Sequence, residues 1–184
     1  DLVAAMLAVG LGEHHQLHVS GVARKALEGI DQIVDLAIGQ RFEQIRHELL
    51  VKQRKHDELR QAVIDIREKM LPTHPPREDS VKYARGGIVD VEFIVQYLIL
   101  AHSHIFPQLT QNYGNIALLG IAADLGLIDL NLAQKSQEAY RYYRKVQHLS
   151  NLKDNAQIEV DAVLIAHYAC VKSLWTKIFI TDRY

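Results

Sequence analysis

The longest apolar stretch of the chain lies near its middle, in KYARGGIVDVEFIVQYLIL from Lys82 to Leu100. A run of this length without Pro or Gly after the pair Gly86-Gly87 predicts a helix. Its apolar residues cover every side, which is typical of a helix buried on most faces. An Asp and a Glu near one end argue against a membrane span. The pattern therefore predicts a central buried helix that begins after a glycine hinge. The polar or amphipathic interruptions are Asp90, Glu92, Gln96 and Tyr97.

Upstream of this stretch, apolar residues at three-to-four spacing predict further helices. One runs from Val22 to Ile38 and is ended by Gly39. A second frame runs unbroken from Arg41 to Met70. Because its middle is polar, we expect either one long helix or two helices that meet near Gln53–His56. Three prolines in LPTHPPREDS then favour extended chain. The predicted seam of the long frame is Phe42, Ile45, Leu49, Lys52, His56, Leu59, Val63, Ile66 and Met70.

Downstream, the central helix is expected over Ile88–Phe106, and two further helices over Asn115–Leu125 and Val160–Phe179. Between the last two, a helix capped by Asn131 is expected. Its predicted inner stripe is Leu132, Ser136, Ala139, Tyr143 and Val146, and that of the last helix is Val163, His167, Cys170, Leu174 and Ile178.

These elements predict an all-α fold, an irregular helical bundle of six to seven helices. The bundle is assigned to residues 35–184, and residues 1–34 form an N-terminal segment that receives no assignment.

Composition adds modest limits. The chain has 184 residues, 48% hydrophobic and 23% charged, which suits one globular domain. A net charge of −1 gives no reason to expect nucleic acid or a membrane as partner. The single cysteine, Cys170, excludes an internal disulfide and fits a reducing, cytoplasmic compartment.

The glycine pair carries the first candidate chemistry. Free N–H groups and the helix dipole at the start of a helix favour an anion, and Lys82 and Arg85 just upstream could supply counter-charge. The alternative is a hinge, in which Gly86 and Gly87 let two helices approach closely. Asp90 falls in the first turn of the predicted helix, where the helix dipole favours a negative charge.

Glu92 and Gln96 are four residues apart and share one helix face, whereas Asp90 points to nearly the opposite side. A buried Glu must be paired or hydrogen-bonded, so we expect a structural bridge from Glu92 to Arg67 or another base, with a ligand-facing role as the alternative.

No metal site is predicted. His14 and His18 have the i, i+4 spacing of a metal pair, but no Cys joins the histidines and no HExxH motif exists. GxGxxG, GxxxxGK[ST] and GxSxG are absent too, so no catalytic residue is assigned, and the chain alone is expected to be inactive.

The segment KYARGGIVDVEFIVQYLILAHSH resembles the helical domain of the glutamine synthetase adenylyltransferase family. Four further segments agree in order: DLAIGQRFEQIR from Asp35, IREKM from Ile66, the stretch from Leu109 to Leu119, and AYR from Ala139. The resemblance covers roughly Asp35 to Asn155. It is most similar to the second, C-terminal copy of this domain, which follows the domain that adds AMP.

The resemblance implies an accessory domain of an enzyme that moves AMP from ATP to a tyrosine of glutamine synthetase with magnesium and removes it by phosphorolysis. The catalytic Gly-Gly-Ser-Asp and Asp-x-Asp signatures are missing from this chain, so no cofactor is expected on it. Implied partners are its own nucleotidyltransferase domain, glutamine synthetase and the PII signalling protein. Whether glutamine, ATP or PII contacts this domain stays open. The candidate residues that face the neighbouring domain or the nucleotide are Lys82, Arg85, Gly86, Gly87 and Asp90.

Two alternatives remain. One is the helical domain of the uridylyltransferase that modifies PII, which is similar in this region. The other is a stand-alone helical binding or scaffold module.

Overall fold

The computed structural model of the chain describes residues 28–152 and 158–181, with side chains from Ile38 onward. These residues form six α-helices and no strand, so the predicted all-α bundle is confirmed. A short 3-10 helix, Pro107–Thr110, precedes the fourth helix, and a π-helical turn, Lys177–Thr181, follows the last. The α-helices are α1 (Glu28–Leu50), α2 (His56–Lys69), α3 (Ile88–His102), α4 (Asn115–Asp124), α5 (Leu130–Leu152) and α6 (Ala162–Thr176).

Helix α3 is the centre of the bundle, as its apolar sequence predicts. Twelve of its 15 residues are buried, and it packs against α2, α4, α5 and α6. It ends at His102, four residues before the predicted end at Phe106. The backbone closes there in a turn, because Ile105 and Phe106 both donate to the carbonyl of His102.

The long frame from Arg41 to Met70 is two helices, which was one of the two predicted alternatives. Helix α1 ends at Leu50 because Arg54 turns back on it: Nη2 donates to the carbonyl of Leu49 at 2.7 Å and Nη1 to that of Leu50 at 3.2 Å. These are the carbonyls that a helix end leaves without partners. The predicted stop at Gly39 is wrong, since α1 runs through it. Residues 22–27 of the predicted first helix lie outside the described residues.

Two details of the last helices correct the sequence-based expectations. The cap of α5 is Asp129, whose Oδ1 accepts from the amide of Leu132 at 2.9 Å, and not Asn131. The inner face of α6 begins one residue later than predicted, because Val163 is 51% exposed and Leu164 is fully buried. The buried residues are Ala133, Ser136, Ala139, Tyr140 and Tyr143 on α5, and Leu164, Tyr168, Val171 and Leu174 on α6.

One described segment, Ala162–Thr181, has the length and apolar composition of a membrane span. A third of it is buried inside the domain, where it packs mainly against α5. The core helix of a folded domain satisfies the same criteria, so this single helix is weak support for a span.

Candidate functional site

The glycine pair marks a close approach of backbone segments. Gly86 has a positive φ of 82°, and a Cβ there would collide with the backbone carbonyl of Tyr168 on α6. A Cβ on Gly87 would meet the carbonyl oxygens of Val81 and Ala84. Glycine is the residue that permits both contacts. The geometry therefore favours the hinge among the two interpretations of the pair.

Four amides at the start of α3, those of residues 86–89, donate to acceptors inside the domain. Because none of these four N–H groups is free, this turn offers no ready site for an anion, although such turns often do. The donors and acceptors are Gly86 N to Asp90 Oδ2 (2.5 Å), Gly87 N to Ala84 O (2.9 Å), Ile88 N to Val81 O (2.9 Å) and Val89 N to Lys82 O (3.2 Å).

A buried ion pair joins this turn to α2. The Nε of Arg67 donates to Oδ1 of Asp90 at 2.6 Å, and the two side chains are 0% and 3% exposed. Arg67 also donates through Nη2 to the carbonyl of Tyr83 at 2.9 Å, whereas its Nη1 is buried without a partner among the described residues. The predicted bridge from Glu92 to Arg67 is therefore wrong: Asp90 is the carboxylate that Arg67 binds.

Two tyrosines hold the preceding loop from the other side. The hydroxyl of Tyr143 on α5 donates to the carbonyl of Gly86, and that of Tyr168 on α6 to the carbonyl of Glu78, both at 2.9 Å. Burial raises the pKa of Tyr143 and of Tyr168 well above the ordinary range, so both hydroxyls keep their protons. The sequence pattern placed Tyr143 in the core but did not reveal this role; the available signal is that a buried tyrosine needs a partner for its hydroxyl.

We refer to Arg67, Gly86, Asp90, Tyr143 and Tyr168 as the glycine junction. Through it, α2, α5 and α6 all contact the start of α3 or the loop before it. Every polar side chain of the junction bonds to another part of the domain, so the junction fixes the shape of the loop that carries Lys82 and Arg85.

Glu92 and Gln96 are half-buried on α3. Glu92 Oε1 accepts from the hydroxyl of Tyr140 at 3.3 Å, and that hydroxyl accepts from Nδ2 of Asn115 at 3.0 Å. This chain of contacts links α3 to α5 and α4, which fits the predicted structural role of Glu92 with a different partner.

The five candidates for contact with a neighbouring domain divide into two groups. Gly86, Gly87 and Asp90 are buried, which runs against an outward position for these three. Lys82 is exposed, with Nζ 5.0 Å from the ring centre of Tyr83. Arg85 is one third exposed and donates through Nη2 to Oε1 of Glu68 at 2.7 Å. Lys82 and Arg85 thus stay candidates at the surface beside the junction.

Three histidines meet where α2 begins and α3 ends. The ring of His56 lies 5.0 Å from that of His102 and 6.5 Å from that of His104. Burial, reinforced by the two neighbouring histidines, lowers the pKa of His102 to about 4, so its ring is neutral at pH 7. Within residues 28–152 and 158–181, no group of three His, Cys, Asp or Glu could hold a metal ion. His14 and His18 lie outside the described residues.

The described residues define the class of the protein: they form a helical bundle without strands, built around a glycine–aspartate turn. The family model described as GlnD PII-uridylyltransferase matches residues 54–160, a range that contains α2 to α5 and the whole turn. The chain belongs to this family of nucleotidyltransferase helical domains.

Curated relatives make the family assignment more specific. Three of them carry the name bifunctional glutamine synthetase adenylyltransferase/adenylyl-removing enzyme. The protein of Neisseria meningitidis serogroup B is 57% identical over 138 residues, 75% of this chain and 15% of the relative. That of Chromobacterium violaceum is 50% identical over 145 residues, 79% of this chain and 16% of the relative. That of Bordetella pertussis is 43% identical over 145 residues, 77% of this chain and 15% of the relative. The chain thus spans about 15% of the length of these relatives, and the predicted family resemblance is confirmed.

Proposed function

We propose that this chain is the helical accessory domain of a bifunctional glutamine synthetase adenylyltransferase/adenylyl-removing enzyme. The observation that carries the proposal is the 57% identity over 138 residues with a relative of that name. In the intact enzyme, AMP would move from ATP to a tyrosine of glutamine synthetase and be removed by phosphorolysis. Glutamine synthetase and the PII protein would be the partners, in the cytoplasm.

Two carboxylates near the glycine turn already have partners inside the domain, which disfavours them as ligands of Mg²⁺. The carboxylate of Asp90 is bound by Arg67 and by the amide of Gly86, and Glu92 is bound by Tyr140. We therefore propose that ATP and Mg²⁺ bind to the nucleotidyltransferase domain of the longer enzyme.

This domain would support and position the loop that carries Lys82 and Arg85. The glycine junction fixes the backbone from Glu78 to Gly86 against α2, α5 and α6. That backbone carries Lys82 and Arg85, the two basic groups that could meet a nucleotide or an acidic surface of the neighbouring domain. Asp90 acts here as a positioning residue, since it holds the loop without reaching the surface.

A chimeric enzyme tests the proposal. The 138-residue segment of the Neisseria meningitidis enzyme is replaced by the matching segment of this chain, and adenylylation and deadenylylation of glutamine synthetase are measured. We expect both activities at rates comparable to the parent enzyme. A matched control carries an unrelated helical bundle of the same length, and it should be inactive. A folded chimera that fails to modify glutamine synthetase would contradict the proposal.

The family model supports a second candidate, because its description names a PII-uridylyltransferase. In that case a uridylyltransferase that carries this segment would modify the PII protein, while the adenylyltransferase chimera stayed inactive. Inactivity of both chimeras would point instead to a stand-alone binding or scaffold module.

A further inference from the structure

The last turn of α3 is capped by side chains from the segment that joins α1 to α2. A helix leaves its final carbonyls without partners in the helix itself. Arg54 Nη1 donates to the carbonyl of Leu100 at 3.5 Å, and His56 Nε2 donates to that of Ala101 at 3.1 Å. Because a carbonyl only accepts, this nitrogen of His56 carries a proton. These two bonds hold the start of α2 against the end of α3.

Helix α1 is attached at the same place. Arg46 Nη1 donates to the carbonyl of Thr110 at 2.6 Å, and His47 Nδ1 lies 3.1 Å from Oγ1 of the same residue. Leu50, the last residue of α1, is fully buried, and its carbonyl accepts from Arg54 Nη1 at 3.2 Å. The 3-10 helix that carries Thr110 has no titratable side chain. The position of α1 on the bundle therefore depends on the end of α3 and on the turn that follows it.

Three histidines lie at this meeting point. We refer to Arg54, His56, His102 and His104 as the histidine corner. The ring of His56 lies 5.0 Å from that of His102 and 6.5 Å from that of His104. His102 is half-buried, and Nδ1 of His104 is buried without a partner among the described residues. At these separations in a partly buried site, a charge on one ring acts directly on the others.

The groups around His102 do not favour a positive charge on its ring. His56 from α2 and His104 from the turn after α3 both oppose such a charge, in addition to the burial of the ring itself. Arg54 is a permanent cation and binds a carbonyl two residues before His102. Tyr97, also on α3, places its ring 6.4 Å from that of His102. None of these groups is a carboxylate.

The carboxylates nearest in sequence to the corner are Asp57 and Glu58, in the first turn of α2. Both are exposed, and each has a partner of its own: Asp57 pairs with Arg60 at 3.2 Å and Glu58 with Lys55 at 2.7 Å. None of the ion pairs among the described residues includes His102. A proton on His102 therefore has no counter-charge within the part of the domain that the structure describes.

The direction of the pH dependence follows from the burial of His102. Burial, and then His56 and His104, lower its pKa from the ordinary 6.5 to about 4. A base whose pKa is lower in the closed state than in the open state contributes its full stability above the higher of the two values. That contribution is lost as the pH falls from 6.5 towards 4, because the open state takes up the proton first. The equilibrium constant for opening then rises by up to about tenfold per pH unit.

We propose that the histidine corner is a pH-sensitive joint, which opens locally and releases α1 from the end of α3 as acidity increases. The trigger is a proton on the ring of His102, which has no counter-charge while the corner is closed. The capping bonds of Arg54 and His56 are lost when the corner opens. The glycine junction, at the other end of α3, contains no histidine and stays closed. The inference concerns contacts within this chain and does not rest on the proposed function.

The imidazole resonances of this chain test the trigger. In an NMR titration from about pH 7.5 to about pH 4, the ring of His102 is expected to take up its proton at least about one pH unit below the ordinary 6.5 of an imidazole. The resonance is assigned by its loss in His102→Gln. A midpoint closer to 6.5 would overturn the proposal.

Amide hydrogen exchange tests the opening. Protection factors, which remove the intrinsic pH dependence of exchange, are compared at about pH 7 and about pH 5. The amides of Val51, Leu59 and Ile105 bond to carbonyls at the end of α1, the start of α2 and the end of α3. They are expected to lose about tenfold in protection between the two pH values. The amides of the buried Ala139 and Tyr143 on α5 are expected to keep theirs.

Three variants identify the group that titrates. His102→Gln replaces the ring by a neutral polar side chain, so protection at the three amides should change by less than about twofold between the two pH values. The matched control His148→Gln makes the same exchange at an exposed position on α5 and should keep the tenfold loss. His56→Gln retains a side-chain donor for the carbonyl of Ala101 but removes one group that opposes the proton, so its loss should be smaller.

Two results would overturn the joint even if His102 titrates as expected. One is a tenfold loss that persists in His102→Gln. The other is an equal loss at the amides of α5, which would show that the whole bundle unfolds. The absence of any loss in the unchanged chain would overturn the proposal as well. If His102→Gln does not fold, the His56→Gln variant and the titration of His102 in the unchanged chain decide.

Discussion

Asp90→Ala is expected to lower the free energy of unfolding by about 3–5 kcal/mol, because it strands the buried guanidinium of Arg67 without its counter-charge. The side chains of Arg67 and Asp90 are 0% and 3% exposed, so water cannot replace the lost partner without opening the core. The amide of Gly86 loses its acceptor at the same time. The measurement is urea denaturation of this chain followed by circular dichroism.

Two further variants identify the cause. Glu58→Ala breaks the exposed pair with Lys55, whose N and O atoms are 2.7 Å apart, and should leave the urea midpoint nearly unchanged. Arg67→Met combined with Asp90→Ala removes both charges and should recover part of the loss, since apolar replacements of buried pairs are often tolerated. An Asp90→Ala midpoint equal to that of Glu58→Ala would contradict the assignment of Asp90 to the interior.

Gly86→Ala is expected to cost about 2–5 kcal/mol through two separate effects. The positive φ of 82° is unfavourable for a residue with a Cβ, and the Cβ would collide with the backbone carbonyl of Tyr168. A carbonyl inside α6 cannot rotate away as a side chain could, so the helix itself must shift.

The matched control is Gly126→Ala. Gly126 has a φ of 73°, but nothing lies within 4 Å of an added Cβ, so this variant carries the backbone cost alone. Thermal and urea melts should show Gly86→Ala less stable than Gly126→Ala by about 1–3 kcal/mol. Equal losses would mean that the loop moves freely away from α6 and that the glycine junction is loose.

Much of the fold could be predicted because the apolar pattern is strong and because glycine residues or polar segments separate several of the helices. Helix α3 follows from an apolar run that leaves no polar face. Helix α4 ends just before Gly126, whose positive φ suits the end of a helix. The division between α1 and α2 was visible as the polar segment KQRKHDE, although periodicity alone also allowed one long helix.

The errors have physical causes. The seam from Phe42 to Met70 assumed that periodic apolar residues face the core, but Phe42 and Ile45 are exposed. Periodicity shows which residues share a face and not what covers that face. The first three positions of the predicted α6 stripe are each one residue too early, whereas Leu174 and Ile178 are buried as predicted. Apolar residues occur all round that helix, including the exposed Val163 and Ile165, so the pattern does not mark the buried side clearly.

The partner of Arg67 is Asp90 and not the predicted Glu92 for a related reason. Residues two positions apart on a helix, such as Asp90 and Glu92, point to nearly opposite sides, and this part of the prediction was correct. On a helix buried on most faces, however, the sequence offers no marker for the side on which Arg67 lies. The contacts of Tyr143 and Tyr168 with the loop join residues 57 and 90 positions apart, and no local pattern reports such pairs.

The turn at Gly86–Val89 is a closed internal junction of the bundle and not an open anion site. Amide hydrogen exchange of these four residues in this chain tests it most directly, with and without added pyrophosphate. We expect slow exchange, close to that of the fully buried Ile94, and no effect of pyrophosphate, because all four N–H groups have acceptors inside the domain. Fast exchange that slows when pyrophosphate is added would contradict it.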